Sequence, residues 1–343
     1  MADLTVAGPA LEVEGLVKRF PPRASFGDLV RRRKLPAVEA VAGISFSVSA
    51  GEVLAIVGES GCGKTTTANM LLGLLPATSG RVLLAGSEVG TMSRRELSRL
   101  RRNIQMIFQD PYESLNPRMR IAEVVAEPLQ VHGEAGSAAQ EAQRVKDALS
   151  QAGMTPPEAY LARFPFELSG GQRQRVAIAA ALTLRPRVLV ADEPVSMLDV
   201  SIRAEILNLL RALADDHGIA VVMITHDLST VAAFADRVAV MYLGRIVELG
   251  PTAEVLADPQ HPYTRALLSV VPVPDPSTRR TPQILSGETP DPAHIPAGCR
   301  FHPRCPVAFD RCKTVDPPLF DVGANHEAAC LLVESGARRA PRE

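Results

Sequence analysis

Short apolar runs along the chain predict the strands of a central sheet. Three of them, Glu52–Val57, Arg187–Glu193 and Ala220–Thr225, consist mainly of Val, Leu, Ile, Met and Ala. Continuous apolar runs of this length are typical of strands that are buried on both faces. Two further segments, Leu11–Val17 and Ile44–Val48, alternate apolar with small or polar residues, which predicts half-exposed strands before the first buried one.

Helical periodicity separates these strands. Apolar residues recur at the spacing i, i+3, i+4, i+7 within Gln143–Ala152, and an apolar stripe runs along Ile202–Leu213 before Gly218 ends that helix. The segment Arg173–Leu184 has the alanine-rich interior of a helix. Strands that alternate with helices predict an α/β fold, with a helical subdomain at about residues 100–185.

The composition excludes several classes of protein. The chain has 343 residues and a formal net charge of −1, so no basic field predicts binding to nucleic acid. Aromatic residues make up only 4% of the chain, which disfavours a surface on which the bases of single-stranded nucleic acid could stack. No apolar stretch approaches the ~18 residues that span a bilayer, and no signal peptide is visible. We therefore expect a cytosolic protein whose five cysteines are not disulfide-bonded.

A glycine-rich loop follows the first buried run and precedes a helix-prone segment. Its form, G-x-x-x-x-G-K-T, is the Walker A motif or P-loop. In that motif, backbone N–H groups and a helix N-terminus hold phosphates. Lys64 is expected to reach the β- and γ-phosphates, and the Thr65 hydroxyl to ligate Mg²⁺. The predicted nucleotide-binding residues of this segment are Gly58, Glu59, Ser60, Gly61, Cys62, Gly63, Lys64, Thr65 and Thr66.

Two carboxylates and a histidine follow the other buried runs. Asp192 and Glu193 end one predicted strand, and His226 directly follows the next. Ligands of open α/β sheets bind at the carboxyl ends of strands, so these side chains are expected beside the P-loop. The alternatives are a solvated acidic strand end and a hydrogen-bonded structural histidine. A second candidate anion site lies at residues 168–172, where a serine and two glycines begin a helix.

In order and spacing these motifs resemble those of the ABC ATPase family. Gln109 matches the Q-loop glutamine, Asp192 and Glu193 end the Walker B strand, Asp199 closes the D-loop and His226 is the switch histidine. The match from about residue 11 to 250 implies a P-loop NTPase of ABC type, with a RecA-like core, an antiparallel β-subdomain and a helical subdomain. The LSGGQ signature corresponds to Leu168, Ser169, Gly170, Gly171 and Gln172.

This resemblance implies a composite active site. In the family, two ATPase domains pair head to tail, and the signature of one faces the γ-phosphate that the P-loop of the other holds. A second ATPase subunit is therefore implied. Glu193 is implied to be the general base that polarises the attacking water, and His226 to contact the γ-phosphate. Mg²⁺ is assigned to Thr65, Gln109 and Asp192.

Two features upstream of the P-loop each have two interpretations. Phe20 is placed to stack on an adenine, but a packing role is about equally well supported. The basic run Arg31–Lys34 is interpreted as a solvated loop face, with anionic lipid or an adjacent subunit as a second possibility.

Later segments resemble the ATPases of oligopeptide and dipeptide importers. Gln109–Arg118 is similar to their extended Q-loop, and His261–Leu267 and Gly298–Pro306 are similar to their C-terminal extension. The resemblance favours the second, F-type ATPase of the pair. It implies a D-type partner ATPase, two membrane permeases, an extracytoplasmic substrate-binding protein and a peripheral location on the cytoplasmic face of the membrane. Gln109–Arg118 is then the expected contact with a permease.

Several other functions are alternatives to peptide import. Nickel or another small solute is the alternative cargo. A soluble ABC ATPase acting on DNA or the ribosome is disfavoured, because such proteins carry long coiled coils or two ATPase domains in one chain. An exporter ATPase is disfavoured because no membrane domain is fused to the chain. A redox-sensing regulator that uses the cysteines is a further alternative.

The composition changes near residue 250, which divides the chain into a predicted nucleotide-binding domain, 1–250, and an extension, 251–343. Fifteen of the 28 prolines lie in the extension, which predicts few long helices or strands and little core there. By spacing alone, its four cysteines fit a [4Fe–4S] cluster, a Cys₄ zinc site or free thiols. The resemblance favours the cluster. The predicted ligands are Cys299, Cys305, Cys312 and Cys330.

Overall fold

The computed structural model describes residues 8–21, 37–271, 283, 285, 287 and 290–334, so the basic run Arg31–Lys34 lies outside the described residues. The strands are β1 Leu11–Phe20, β2 Val38–Val48, β3 Val53–Val57, β4 Ser79–Leu84, β5 Ser87–Glu88, β6 Ile104–Ile107, β7 Val188–Asp192, β8 Ala220–Thr225, β9 Arg237–Tyr242, β10 Arg245–Pro251, β11 Phe320–Gly323 and β12 His326–Ala328. The helices are α1 Lys64–Leu71, α2 Arg94–Arg101, α3 Pro111–Ser114, α4 Ile121–Val131, α5 Ala138–Gln151, α6 Gly170–Leu182, α7 Val200–His217, α8 Leu228–Phe234, α9 Thr252–Ala257, α10 Pro262–Ser269 and α11 Leu331–Glu334.

The central sheet has the strand order β11-β12-β10-β9-β3-β8-β7-β6. The strands from β9 to β6 are parallel, and β10, β12 and β11 continue the sheet antiparallel. Alternate residues of β3 belong to two different cores, with Ala55 facing one and Leu54 and Ile56 facing the other. Burial on both faces explains why β3, β7 and β8 are continuous apolar runs.

A second, antiparallel sheet has the order β2-β1-β4-β5. Its inward residues Leu11, Val13 and Leu16 share a core with Leu71 of α1. The strands β1 and β2 are longer than the alternating segments predict, because the two pair with each other over most of their length. This sheet lies on the face of the central sheet opposite the helices α4, α5 and α6.

The helices α4, α5 and α6 follow β6 and precede β7 in the chain, and they pack against one another. The helix α5 begins earlier than its apolar pattern indicates, whereas α6 begins within residues 168–172, as predicted. In α5 the Ser137 hydroxyl accepts from the N–H of Gln140, and in α6 the Ser169 hydroxyl accepts from the N–H of Gln172. A serine cap satisfies a free N–H of the first turn, so the helix starts directly after it.

The C-terminal extension contributes to the main core, so the prediction that it has little core is wrong. Tyr263 and Phe301 are at most 1% exposed and belong to the same core as β3 and β8. Glu248 of β10 is fully buried and accepts from the backbone N–H groups of Gln260 and His261. Its carboxylate is also 2.8 Å from Nε2 of His326. These contacts and the β10–β12 pairing fix the extension to the central sheet.

Within the part of the chain that the structure describes, no helix is both long enough and apolar enough to cross a membrane.

Candidate functional site

The P-loop lies between the carboxyl end of β3 and the first turn of α1. Gly63 caps the helix with φ 106°, and a Cβ there would lie 2.2 Å from the carbonyl oxygen of Ala40, so the position requires glycine. Lys64 is only 7% exposed. Its Nζ donates to the carbonyl oxygens of Gly58 at 2.7 Å and Glu59 at 3.0 Å, so the ammonium is held inside the loop.

Asp192 and Thr65 form a pair of oxygen ligands at the base of the loop. Asp192 is 6% exposed. Burial raises the pKa of its carboxyl, while a hydrogen bond from the Thr65 hydroxyl and the nearby Lys64 oppose that rise. A buried carboxylate beside a hydroxyl suits Mg²⁺, which prefers one or two protein oxygens and completes its shell with phosphate oxygens and water. These two residues therefore fit the metal that the P-loop motif implies.

Glu193 has its carboxylate fixed by two neighbours. Its backbone adopts φ 47°, and its N–H donates to the Ile224 carbonyl oxygen at 2.8 Å. One carboxylate oxygen accepts from Nε2 of Gln109 at 3.2 Å, and the other lies 3.0 Å from Nδ1 of His226. A left-handed backbone is unfavourable for glutamate and is found where a side chain must be aimed. Gln109 thus contacts Glu193 through its amide nitrogen, not Asp192.

A cleft of about 600 Å³ brings most of the predicted site together. Its walls combine loop N–H groups and one ammonium with a carboxylate and a histidine, which is a polar site suited to a charged phosphate chain. The lining residues are Ala40, Ser60, Gly61, Gly63, Lys64, Thr65, Thr66, Gln109, Glu193 and His226.

Other predicted residues do not line this cleft. Ser169 of the signature is exposed at the N-terminus of α6, and Gly171 is buried against Ile202. Asp199 precedes α7, where Val200 is 80% exposed. Phe20 ends β1, is 36% exposed and has the Lys18 ammonium 5.2 Å from its ring centre. The small side chain of Cys62 is buried under the loop.

The four late cysteines are free thiols in the extension. Burial, with a smaller contribution from neighbouring thiols, raises the pKa of Cys299 and Cys305 to about 11. Among the described residues, which include all four, no group of three or more His, Cys, Asp or Glu side chains is placed to hold a metal ion. The structure therefore does not support the predicted [4Fe–4S] cluster or a Cys₄ zinc site.

Three residues at this site escaped the sequence analysis. Ala40 lines the cleft from β2. Tyr263 and Arg304 of the extension both contact Glu59, the second residue of the P-loop. Both lie in segments that resemble importer extensions, but nothing in the sequence pairs them with a residue more than 200 positions earlier.

Comparisons with known proteins agree with this site. The family model described as ABC transporter matches residues 41–196, and the one described as oligopeptide/dipeptide transporter, C-terminal region, matches 247–312. The chain is 48% identical over 320 residues to a probable peptide ABC transporter ATP-binding protein of Sinorhizobium fredii, covering 93% of this chain and 89% of the relative. It is 45% identical over 302 residues to the oligopeptide transport ATP-binding protein OppF of Haemophilus influenzae, covering 88% and 90%.

Solved structures show the same fold. A dimeric ATP-binding cassette, MJ0796, in a post-hydrolysis state with ADP and Pi has a TM-score of 0.60 and 28% identity, covering 71% of this chain and 98% of that one. The protein cbiO1 of Clostridium perfringens, part of an ABC transporter complex, has a TM-score of 0.61 and 32% identity, covering 73% and 91%. The chain therefore belongs to the family of ABC transporter ATP-binding proteins, in the oligopeptide/dipeptide transporter branch.

Proposed function

We propose that this chain hydrolyses Mg–ATP to power an importer of di- or oligopeptides. The observation that carries the proposal is the position of Glu193. Its carboxylate lies at the mouth of the P-loop cleft, held between Gln109 and His226. A fixed carboxylate opposite a phosphate-binding loop is the arrangement that general-base attack by water on a γ-phosphate requires.

In this mechanism, the P-loop N–H groups and Lys64 hold the β- and γ-phosphates. Glu193 accepts a proton as the water oxygen bonds to the γ-phosphorus, and the bond from that phosphorus to the bridging oxygen of ADP breaks. Lys64 and His226 stabilise the charge on the transferring phosphoryl group. Asp192 and Thr65, with Gln109 as the third predicted ligand, would hold Mg²⁺, which would supply positive charge against the phosphates.

The site is completed by a second ATPase subunit in this proposal. Residues 168–172 do not line the cleft of their own chain, and Ser169 is exposed at a helix N-terminus that favours anions. The exposed Met197 and Val200 beside Asp199 give the same surface an apolar component. The solved neighbour MJ0796 is itself described as dimeric. A D-type ATPase is the proposed partner, as the resemblance implies.

The permease contact is assigned to Gln109–Arg118, which Phe108 directly precedes. Phe108 is 50% exposed and Tyr112 is 58% exposed. Exposed aromatic residues are common in protein–protein interfaces. Here they lie beside the nucleotide site, so a partner bound to them would be sensitive to whether the γ-phosphate is present. Two permeases and an extracytoplasmic binding protein complete the proposed importer, which places this chain on the cytoplasmic face of the membrane.

Peptide cargo is supported by the two relatives described above, which are named as peptide and oligopeptide transport ATP-binding proteins. Import of nickel or another small solute is the second candidate. The ligand of the co-purified binding protein distinguishes the two.

The [4Fe–4S] cluster at Cys299, Cys305, Cys312 and Cys330, and the domain boundary at residue 250, remain proposals from the resemblance and the composition. Iron and zinc analysis of chain purified without oxygen tests the cluster. Iron with absorbance near ~400 nm supports it, zinc alone replaces it with a structural site, and neither metal leaves four free thiols.

The replacement Glu193→Gln tests the assignment of the general base. The variant should bind ATP with unchanged affinity and turn over at least ~10²-fold more slowly, because the amide cannot accept the proton. Turnover is measured on the importer complex by phosphate release. Glu205→Gln is the matched control, since that carboxylate pairs with Arg175 on the helix surface. Near-normal turnover in Glu193→Gln would remove Glu193 from this role.

A further inference from the structure

Glu59 is the residue of the P-loop at which the C-terminal extension and Lys64 meet. Its carbonyl oxygen accepts from Nζ of Lys64 at 3.0 Å, and its N–H donates to the Tyr263 hydroxyl at 3.0 Å. Its carboxylate is paired with Nη1 of Arg304 at 2.9 Å. Three groups of one loop residue are thus held by three side chains, two of which belong to the extension.

The Tyr263 hydroxyl is a fixed acceptor. The side chain is fully buried, and its ring packs 4.7 Å from Tyr242 and 5.5 Å from Phe301, measured between ring centres. A ring confined by two aromatic neighbours cannot move its hydroxyl without disturbing the core. The N–H of Glu59 is therefore tied to a rigid point of the core, not to another part of the loop.

The Arg304–Glu59 ion pair is also well placed to act on the loop. The Arg304 side chain is only 10% exposed and that of Glu59 is 26% exposed, so solvent screens the pair weakly. A charged hydrogen bond of this kind is stronger than one between neutral groups. The Ala40 carbonyl of β2 also packs closely against Gly63 of the loop. The antiparallel sheet and the extension thus both contact the loop.

We propose that Tyr263 and Arg304 are positioning residues that hold the P-loop, through Glu59, in the conformation that binds ATP. The inference rests on the proposed function, because it concerns the same nucleotide site. Releasing either contact lets the loop leave that conformation for part of the time. The apparent affinity for nucleotide then falls in proportion to the fraction that remains competent.

The test compares Mg–ATP binding by full-length Arg304→Gln and Tyr263→Phe chains with that of wild type, by titration calorimetry. Arg304→Gln should weaken binding about tenfold and Tyr263→Phe about threefold, the sizes expected for a charged and a neutral hydrogen bond. Tyr263→Phe keeps the buried ring, so the fold is preserved. Arg304→Lys should recover part of the lost affinity, because it restores the charge.

Two further measurements distinguish an effect on the P-loop from a general loss of contact between the extension and the core. Asp316→Ala removes an ion pair between the extension and Arg245 of the core, without touching the loop, and should leave the affinity unchanged. The doubly substituted Glu59→Gln, Arg304→Gln chain should bind no more weakly than Arg304→Gln alone, because one interaction is lost in both. The proposal would be overturned if Asp316→Ala weakened Mg–ATP binding as much as Arg304→Gln does. It would also be overturned if the double variant bound Mg–ATP more weakly than Arg304→Gln alone.

Hydrogen exchange gives a readout that does not depend on nucleotide. The amide of Glu59 should exchange faster in Tyr263→Phe than in wild type, because its acceptor is gone. Unchanged exchange and unchanged affinity in both variants would refute positioning while leaving the proposed function intact. If the wild-type chain binds no Mg–ATP, the proposed function is refuted. Faster exchange of the Glu59 amide in Tyr263→Phe would still confirm the contact between Glu59 and Tyr263.

Discussion

The P-loop cleft and the C-terminal extension are built in opposite ways. Apart from Ala40 of β2, the cleft is assembled from short segments that each follow a strand of the central sheet, so their residues are close to one another as soon as that sheet forms. The extension is held by contacts that join distant positions, such as Arg300 with Glu39 and His326 with Glu248. Short sequence motifs therefore supply the nucleotide-binding side chains of the cleft, whereas contacts between distant positions hold the extension against the rest of the chain.

The largest expected effect in this comparison comes from the core of the extension. Phe301 is 1% exposed and its ring meets Tyr242 edge to face at 5.3 Å between centres. Replacing it with alanine should lower the free energy of unfolding by about 3 to 5 kcal/mol, measured by urea denaturation. Phe309→Ala is the control, because that phenylalanine of the extension is 39% exposed and should cost far less. Equal losses in the two variants would mean that the extension does not share the main core.

The same contrast explains how far the sequence could be interpreted. The strands β7 and β8 agree closely with their apolar runs, and the positions of Lys64, Glu193 and His226 around one cleft follow from their places at strand ends. Each of these depends on residues a few positions apart. The sequence could supply them because strand burial and loop geometry are local.

The extension could not be predicted in this way. Its prolines correctly indicated short elements, the longest of which is the eight-residue α10 among the residues that the structure describes. The same composition suggested little core, because composition cannot show that Tyr263 and Phe301 insert beside β9. The sequence also does not predict that the amide nitrogen of Gln109 contacts Glu193, and the assignment of Gln109 to Mg²⁺ stays a prediction. Such side-chain contacts depend on rotamers, which the spacing of residues in the sequence does not specify.

A second, smaller effect concerns the pH dependence of the extension. Burial is the main cause that lowers the pKa of His261 to about 4, against an ordinary value near 6.5. Between these two values the unfolded chain binds a proton that the folded chain does not, so this histidine lowers stability as the pH falls through that window. The expected loss attributable to His261 is about 2 kcal/mol at pH 5 relative to pH 7.

The variant His261→Asn isolates that contribution. Asparagine retains a side-chain acceptor for the N–H of Tyr263, which the imidazole Nδ1 accepts at 3.1 Å, so the start of α10 keeps its cap. Urea denaturation of both chains at pH 5 and pH 7 should show a smaller loss on acidification in the variant. An identical pH dependence in the two chains would mean that His261 does not cause the loss.

The smallest expected effect concerns the surface attachment of the extension. The ion pair of Arg245 and Asp316 joins the extension to β10, but its side chains are 28% and 40% exposed. Solvent screens such a pair, and ordering two long side chains offsets much of the attraction, so Asp316→Ala should change the free energy of unfolding by less than about 1 kcal/mol. A loss as large as that of Phe301→Ala would mean that charge, not the aromatic core, holds the extension in place. The buried rings argue against that outcome, because apolar area removed from water stabilises the folded chain whatever the ionic strength, while a surface pair weakens as salt is added.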